Sequence, residues 1–208
     1  MWLKMGAKFP SARVAVLSTI GLLLVVSCSN TSETSLSVNN NVAAHLQTTS
    51  QTQNSGTQVK SPLPPPTGFV NDYARAFDPQ SKQRLETVLI ELKDKSGIEF
   101  AVVTIETTGG QPLLDYSLAV AKGWGIGSKD PSKGGGLLLM LAVKDRQWRI
   151  QVSRSLEQDL PDEVCKELGD QSKELYRQGQ YAKGLIKYVK AIIERLEKIR
   201  GFTLTRKL

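Results

Sequence analysis

GLLLMLAVKDRQWRIQVS, residues 136–153, decides the fold. Gly136 to Val143 is a near-continuous apolar run, of a length that suits a strand buried on both faces. Lys144, Asp145, Arg146 and Gln147 then make a tight connection. Beyond them Trp148, Ile150 and Val152 alternate with Arg149, Gln151 and Ser153, the period-two pattern of a strand with one apolar and one polar side. A central strand, a short connection and an alternating strand predict an antiparallel hairpin.

Upstream, Ile98 to Ile105 (IEFAVVTI) is β-branched and largely apolar, and reads as a second buried strand. Between the two strands, Pro112 opens a helix running to about Lys122. That makes a βαβ unit, whose strands should be parallel and whose crossover should be right-handed. Before it, Asp78-Pro79 caps a helix with Leu85, Val88, Leu89 and Leu92 at helical spacing, stopped at Gly97. After the hairpin, Pro161-Asp162-Glu163 begins a third helix with Val164, Cys165, Leu168, Leu175 and Tyr176 inward, broken at Gly179. The last helix carries one stripe: Tyr181, Leu185, Tyr188, Val189, Ile192, Ile193, Leu196 and Ile199. The expected class is α/β, a three-layer α/β/α sandwich with a small mixed sheet and about four helices. The domain reads as residues 68–199, with a basic, solvated tail over 200–208.

The amino-terminal part has a different character. Lys4, Lys8 and Arg13 precede an apolar run from Val14 to Val26 that ends in Val25-Val26-Ser27-Cys28. A basic start, a short apolar stretch and small residues before a cut describe a secretory signal. The run is well short of the roughly 20 residues needed to span a bilayer. Cys28 after a small residue resembles the bacterial lipoprotein box, in which cleavage exposes a diacylated cysteine; an ordinary signal with an incidental Cys, or an uncleaved anchor, is the alternative. Residues 1–27 are then the leader, and 28–67 a disordered tether rich in Ser, Thr, Asn and Gln that closes on Pro62, Pro64, Pro65 and Pro66. Lipid at Cys28 implies a membrane-held protein of the bacterial cell envelope. Where there are two membranes, Ser29 implies the periplasmic side of the outer one.

Composition removes several function classes. Loss of residues 1–27 takes three basic and no acidic residues with it, lowering the formal charge from +7 to +4. That balance is ordinary and points to no nucleic-acid partner. His45, the only histidine, lies in the tether, which argues against Ser-His-Asp or Cys-His catalysis and His-based zinc sites. Cys165 falls on an apolar helical position and reads as a buried small hydrophobe.

Chemistry concentrates in one loop. Gly123-Trp124-Gly125-Ile126-Gly127 leads through Lys129 and Lys133 into Gly134-Gly135-Gly136. Such a loop can bend its amides around an anion, or be a connector with Trp124 packed as a lid. It leads into a strand, so it is neither a P-loop nor a dinucleotide fingerprint. The hairpin's second strand should end beside it, bringing Glu157, Asp159 and Asp162 to the same edge as oxygen donors for Ca²⁺ or another divalent cation. Asp162 alternatively serves the helix terminus alone. Asp115 and Asp145 should lie at the opposite edge, while the edge of Asp72 is left open.

Val70-Asn71-Asp72-Tyr73-Ala74, Asp115-Tyr116-Ser117, Gly123 to Gly127, Gly136 to Leu139, Arg149-Ile150 and Leu160-Pro161-Asp162, in this order, resemble the TPM domain family over about residues 68–199. The resemblance implies an α/β/α fold in a family of bacterial envelope and thylakoid-lumen proteins. These include acid phosphatases, calcium binders and factors that assist photosystem II repair. It also implies Asp72 and Asp162 as metal ligands. The family often has Asp-Asn-Gly where this chain has Gly134-Gly135-Gly136, and Gly-aromatic-Gly where it has Ser153-Arg154-Ser155. Fewer donors at that edge imply weaker cation binding. The expectation is therefore a non-catalytic envelope module with a protein partner, and a metal-assisted phosphomonoesterase as the rival, its loop amides and Lys129 or Lys133 neutralising phosphate charge.

Overall fold

A computed structural model describes residues 2–8 as backbone, together with residues 60–127 and 134–208. Cys28, residues 9–59 and the loop residues Lys129 and Lys133 lie outside them. The sheet order is β1 (Trp2–Lys8), β5 (Gln147–Ser153), β4 (Gly135–Ala142), β3 (Ile98–Ile105), β2 (Val70–Asp72). As the sequence predicts, β3 and β4 are parallel and β4 and β5 antiparallel. All eight residues of β4 are buried. Two strands were not expected: β2, too short to show a period, runs parallel to β3, and Trp2–Lys8 pairs antiparallel with β5.

The faces of the sheet are covered unequally. Leu137, Leu139, Leu141, Trp148, Ile150 and Val152 form the larger core with α1 (Pro79–Ser96), α3 (Asp162–Asp170), α4 (Lys173–Arg177) and α5 (Tyr181–Arg200). Leu138, Met140 and Val103 face α2 (Leu113–Trp124) alone, with Leu63 at the margin. Among the residues whose side chains are described, the members of both cores run from Leu63 onward. Asp78 caps α1 by accepting from the Ser81 amide at 2.8 Å, and left-handed Gly97 ends it.

The predicted third helix is two helices, α3 and α4, so the described residues hold five α-helices where about four were expected. Trp148, packed edge-to-face on Tyr188 with ring centroids 5.2 Å apart, presses on α3 at Gly169. A Cβ there would stand 2.3 Å from the indole ring. The chain turns just beyond, and Tyr176 of α4 then packs beside Gly184 of α5. Ile199, expected on the inward stripe, is 45% exposed.

The packed unit extends past both expected bounds. Ser61 lies against Gly123 and the Trp124 indole donates to the Pro64 carbonyl at 2.9 Å, so the proline segment is a strap on α2 rather than a free spacer. The tail is ordered too. Leu204 is buried, and the Glu91 carboxylate accepts the Thr205 and Arg206 amides at 2.6 and 2.9 Å. Those amide bonds hold the Glu91 pKa down at about 2.

Two predictions follow from this packing. Gly169→Ala forces a methyl into a rigid ring and should destabilise the domain by about 1–3 kcal/mol, read from the urea midpoint. Glu91→Gln should speed hydrogen exchange at Thr205 and Arg206. Because the folded pKa is depressed, the wild-type latch should be fully present above the ordinary glutamate pKa and lost as pH falls through about 2. Unchanged exchange in the variant would mean that apolar packing alone holds the tail.

Candidate functional site

The glycine loop lies at the amino ends of β3 and β4, where sequence reasoning put it. Gly125 ends α2 as a left-handed cap. Gly134, at φ 91°, crosses so close to the Gly97 carbonyl that a Cβ would stand 2.2 Å from its oxygen. Gly136 approaches Gly127 as tightly, backbone to backbone. The loop is thus built on close backbone contact, which only glycine allows.

Two of its described amides are committed within the domain. Gly127 donates to the Glu99 carboxylate at 2.6 Å, and Gly136 donates to the Ser153 hydroxyl at 2.8 Å. Ser153 and Ser155 share a hydroxyl contact of 3.1 Å, and Ser155 lies against Gly135. Glu99 also pairs with Lys93 at 2.5 Å, and Lys93 stands 5.9 Å above the Phe69 ring. Sequence reasoning passed over Glu99, although a carboxylate inside the apolar run IEFAVVTI was a visible signal. Beside it is a cleft of about 390 Å³ lined by Phe69, Ala101, Trp124, Ile126 and the end of the proline strap. Trp124 clamps that strap.

The predicted acids are not brought together as one ligand set. Asp72 ends β2 beside Thr104, near the carboxyl end of β3, away from the glycine loop. Its carboxylate accepts the Ala76 and Phe77 amides at 2.9 and 3.0 Å and the Thr104 hydroxyl. It pins a turn in which Arg75 adopts a left-handed φ of 53°. Asp145 sits at that same end on Thr107 and Thr108, as expected. Asp159 is held by Arg200 at 2.6 Å. Asp162 opens α3, and its pKa is raised by burial first and then by Glu163 and Glu157, with Arg149 opposing. Among the described residues, no three His, Cys, Asp or Glu side chains are grouped to hold a metal ion. Cys165 is buried, and burial together with Asp162 pushes its thiol up to about 12. At neutral pH it is a thiol, not a nucleophile.

A layered mixed sheet with a glycine loop at its strands' amino ends defines the class of domain. The family model for the TPM domain matches residues 70–195, and the chain belongs to that family. The N-terminal domain of a P. gingivalis protein, solved in solution, is similar at 30% identity with a TM-score of 0.59; the match covers 65% of this chain and 86% of that one. The N-terminal domain of the cg2496 protein from Corynebacterium glutamicum aligns at 16% identity and a TM-score of 0.49, over 68% and 86% of the two chains. No curated protein matches.

Asp72→Asn tests the turn-pinning role. Its amide group would face one of the three donors that the carboxylate now accepts. The domain should lose about 1–3 kcal/mol in urea denaturation. A variant of unchanged stability would return Asp72 to the list of candidate ligands.

Proposed function

We propose that this chain is a lipid-anchored accessory module of the bacterial cell envelope, acting by binding a protein partner rather than by catalysis. The observation that carries the non-catalytic half is the internal use of the glycine loop's amides. An anion cradle needs free N–H groups. Here the Gly127 amide is taken by Glu99 and the Gly136 amide by Ser153. A carboxylate at the loop would also repel a phosphate ester.

The anchoring half is supported by the basic start, the apolar run and Cys28 in sequence. Two acyl chains hold a protein firmly, each buried CH₂ adding about 0.8 kcal/mol. No helix among the described residues is long and apolar enough to cross a membrane. The proline strap gives the tether a fixed point of departure on α2.

The rival, a metal-assisted phosphomonoesterase, would need Asp72 and Asp162 on one ion. The bonds that occupy Asp72 speak against it. A cation would have to rest on Glu157 and Asp162, with water completing its shell.

Expression of the whole chain in bacteria should give a membrane-bound species whose mass corresponds to residues 28–208 plus lipid, and Cys28→Ala should release the protein from membranes. Full-length Cys28→Ala protein in the soluble fraction should neither hydrolyse p-nitrophenyl phosphate between pH 4 and 8 with calcium, magnesium or manganese, nor show a saturable change in Trp fluorescence with calcium. Metal-dependent turnover lost in Asp162→Asn would establish the rival. Retention of the Cys28→Ala protein on membranes would remove the lipid anchor.

A further inference from the structure

The two edges of the sheet are finished differently. At one edge β2 is three residues long, and the Glu86 carboxylate accepts the Phe69 and Val70 amides at 2.8 and 2.7 Å. A short strand capped by a carboxylate has little left to pair with another chain. At the other edge β5 is seven residues long, with no proline and no lysine. Long, regular edges are templates for strand addition unless something blunts or covers them.

In the full chain Trp2–Lys8 covers that edge. It pairs residue for residue, from Trp2 with Ser153 to Lys8 with Gln147, and its backbone also lies against α2 and α3. The edge is therefore a slot with a helix on each side. Its covering strand falls inside the leader that sequence and composition assign to residues 1–27.

We propose that the β5 edge is the docking slot for an extended segment of a protein partner, filled by the leader in the precursor and opened when the leader is removed. The proposal deepens the accessory-module reading and rests on it for leader removal. The slot itself defines what fits. Leu3, Met5 and Ala7 pair with Val152, Ile150 and Trp148, whose side chains enter the larger core. A docking strand needs apolar residues at those alternate positions. Gly6 pairs with Arg149, which faces the α2 side of the sheet between the charges of Asp162 and Asp115. The Arg149 Nη1 is buried and has no hydrogen-bond partner among the described residues. A small residue opposite Arg149 leaves room for the guanidinium and for a backbone carbonyl to meet it. The partner segment is thus an extended strand, apolar at every second position, with a glycine or similarly small residue between two of them. Main-chain bonds would supply affinity and the alternate side chains specificity, as in other strand additions.

The test uses a synthetic peptide of residues 1–9 as the probe, with hydrogen exchange at Gln147–Ser153 as the readout. Two proteins are compared: the full chain carrying Cys28→Ala, and residues 29–208, which contain the whole stretch matched by the TPM family model and whose folding is first checked by circular dichroism. Exchange at β5 should be at least about tenfold faster in the shorter protein, and the peptide should slow it again. A peptide with Met5→Lys should bind roughly tenfold more weakly or worse, while the full chain should not respond to either peptide. The proposal is overturned if β5 is equally protected in both proteins, or if the peptide leaves exchange unchanged. Sedimentation of residues 29–208 as a dimer, with β5 protected in the absence of peptide, would instead make a second copy the occupant and also overturn it. Because the shorter protein is made directly, failure here does not depend on leader processing, which the membrane and mass measurements decide separately.

Discussion

Everything in this domain is arranged around a strand that cannot touch water on either face. β4 is buried along its whole length, and its backbone groups can be satisfied only by β3 on one side and β5 on the other. Its odd-numbered leucines need one apolar layer and Leu138 and Met140 another, so helices must lie on both sides. The parallel pairing with β3 requires a crossover, which α2 provides. The antiparallel pairing with β5 requires only the short connection after Ala142. Placing the glycine loop at the amino end of β4 follows from that same connectivity.

Several long-range carboxylates then finish what the sheet leaves open. Glu86 caps the β2 edge, Asp72 pins the turn before α1, Glu99 takes a loop amide and Glu91 latches the tail. Each accepts backbone N–H groups that would otherwise lack partners, which is where a carboxylate contributes most to order. Of the acids that looked like metal ligands from sequence, Asp72 and Asp159 are fasteners. The Gly127 and Gly136 amides of the loop are already bonded, to Glu99 and Ser153.

The elements that sequence reasoning placed were those with a period. β3, β4, β5, α1, α2 and α5 declare themselves by alternation, continuous apolar character or helical spacing, and the ends of α1 by Asp78 and Gly97. β2 did not, since three residues cannot show a repeat. The division of the third helix at Gln171 did not either, because it depends on Trp148 meeting Gly169 from another element. The loop's position was legible from topology. The occupation of its amides by Glu99 and Ser153 was not, for those partners lie 28 and 17 residues away.

By itself the sequence determined the class of fold, the order of the central strands and helices, and the family resemblance. These are properties of local spacing and composition, which folding preserves. The tertiary structure alone decided that the Asp72 carboxylate is taken up by a turn, that the proline segment and the basic tail pack onto the domain, and that the β2 edge is capped by Glu86 while β5 pairs with Trp2–Lys8. Each of those depends on which distant groups meet, and a carboxylate's partner is chosen by the packing of whole elements rather than by its neighbours in the chain.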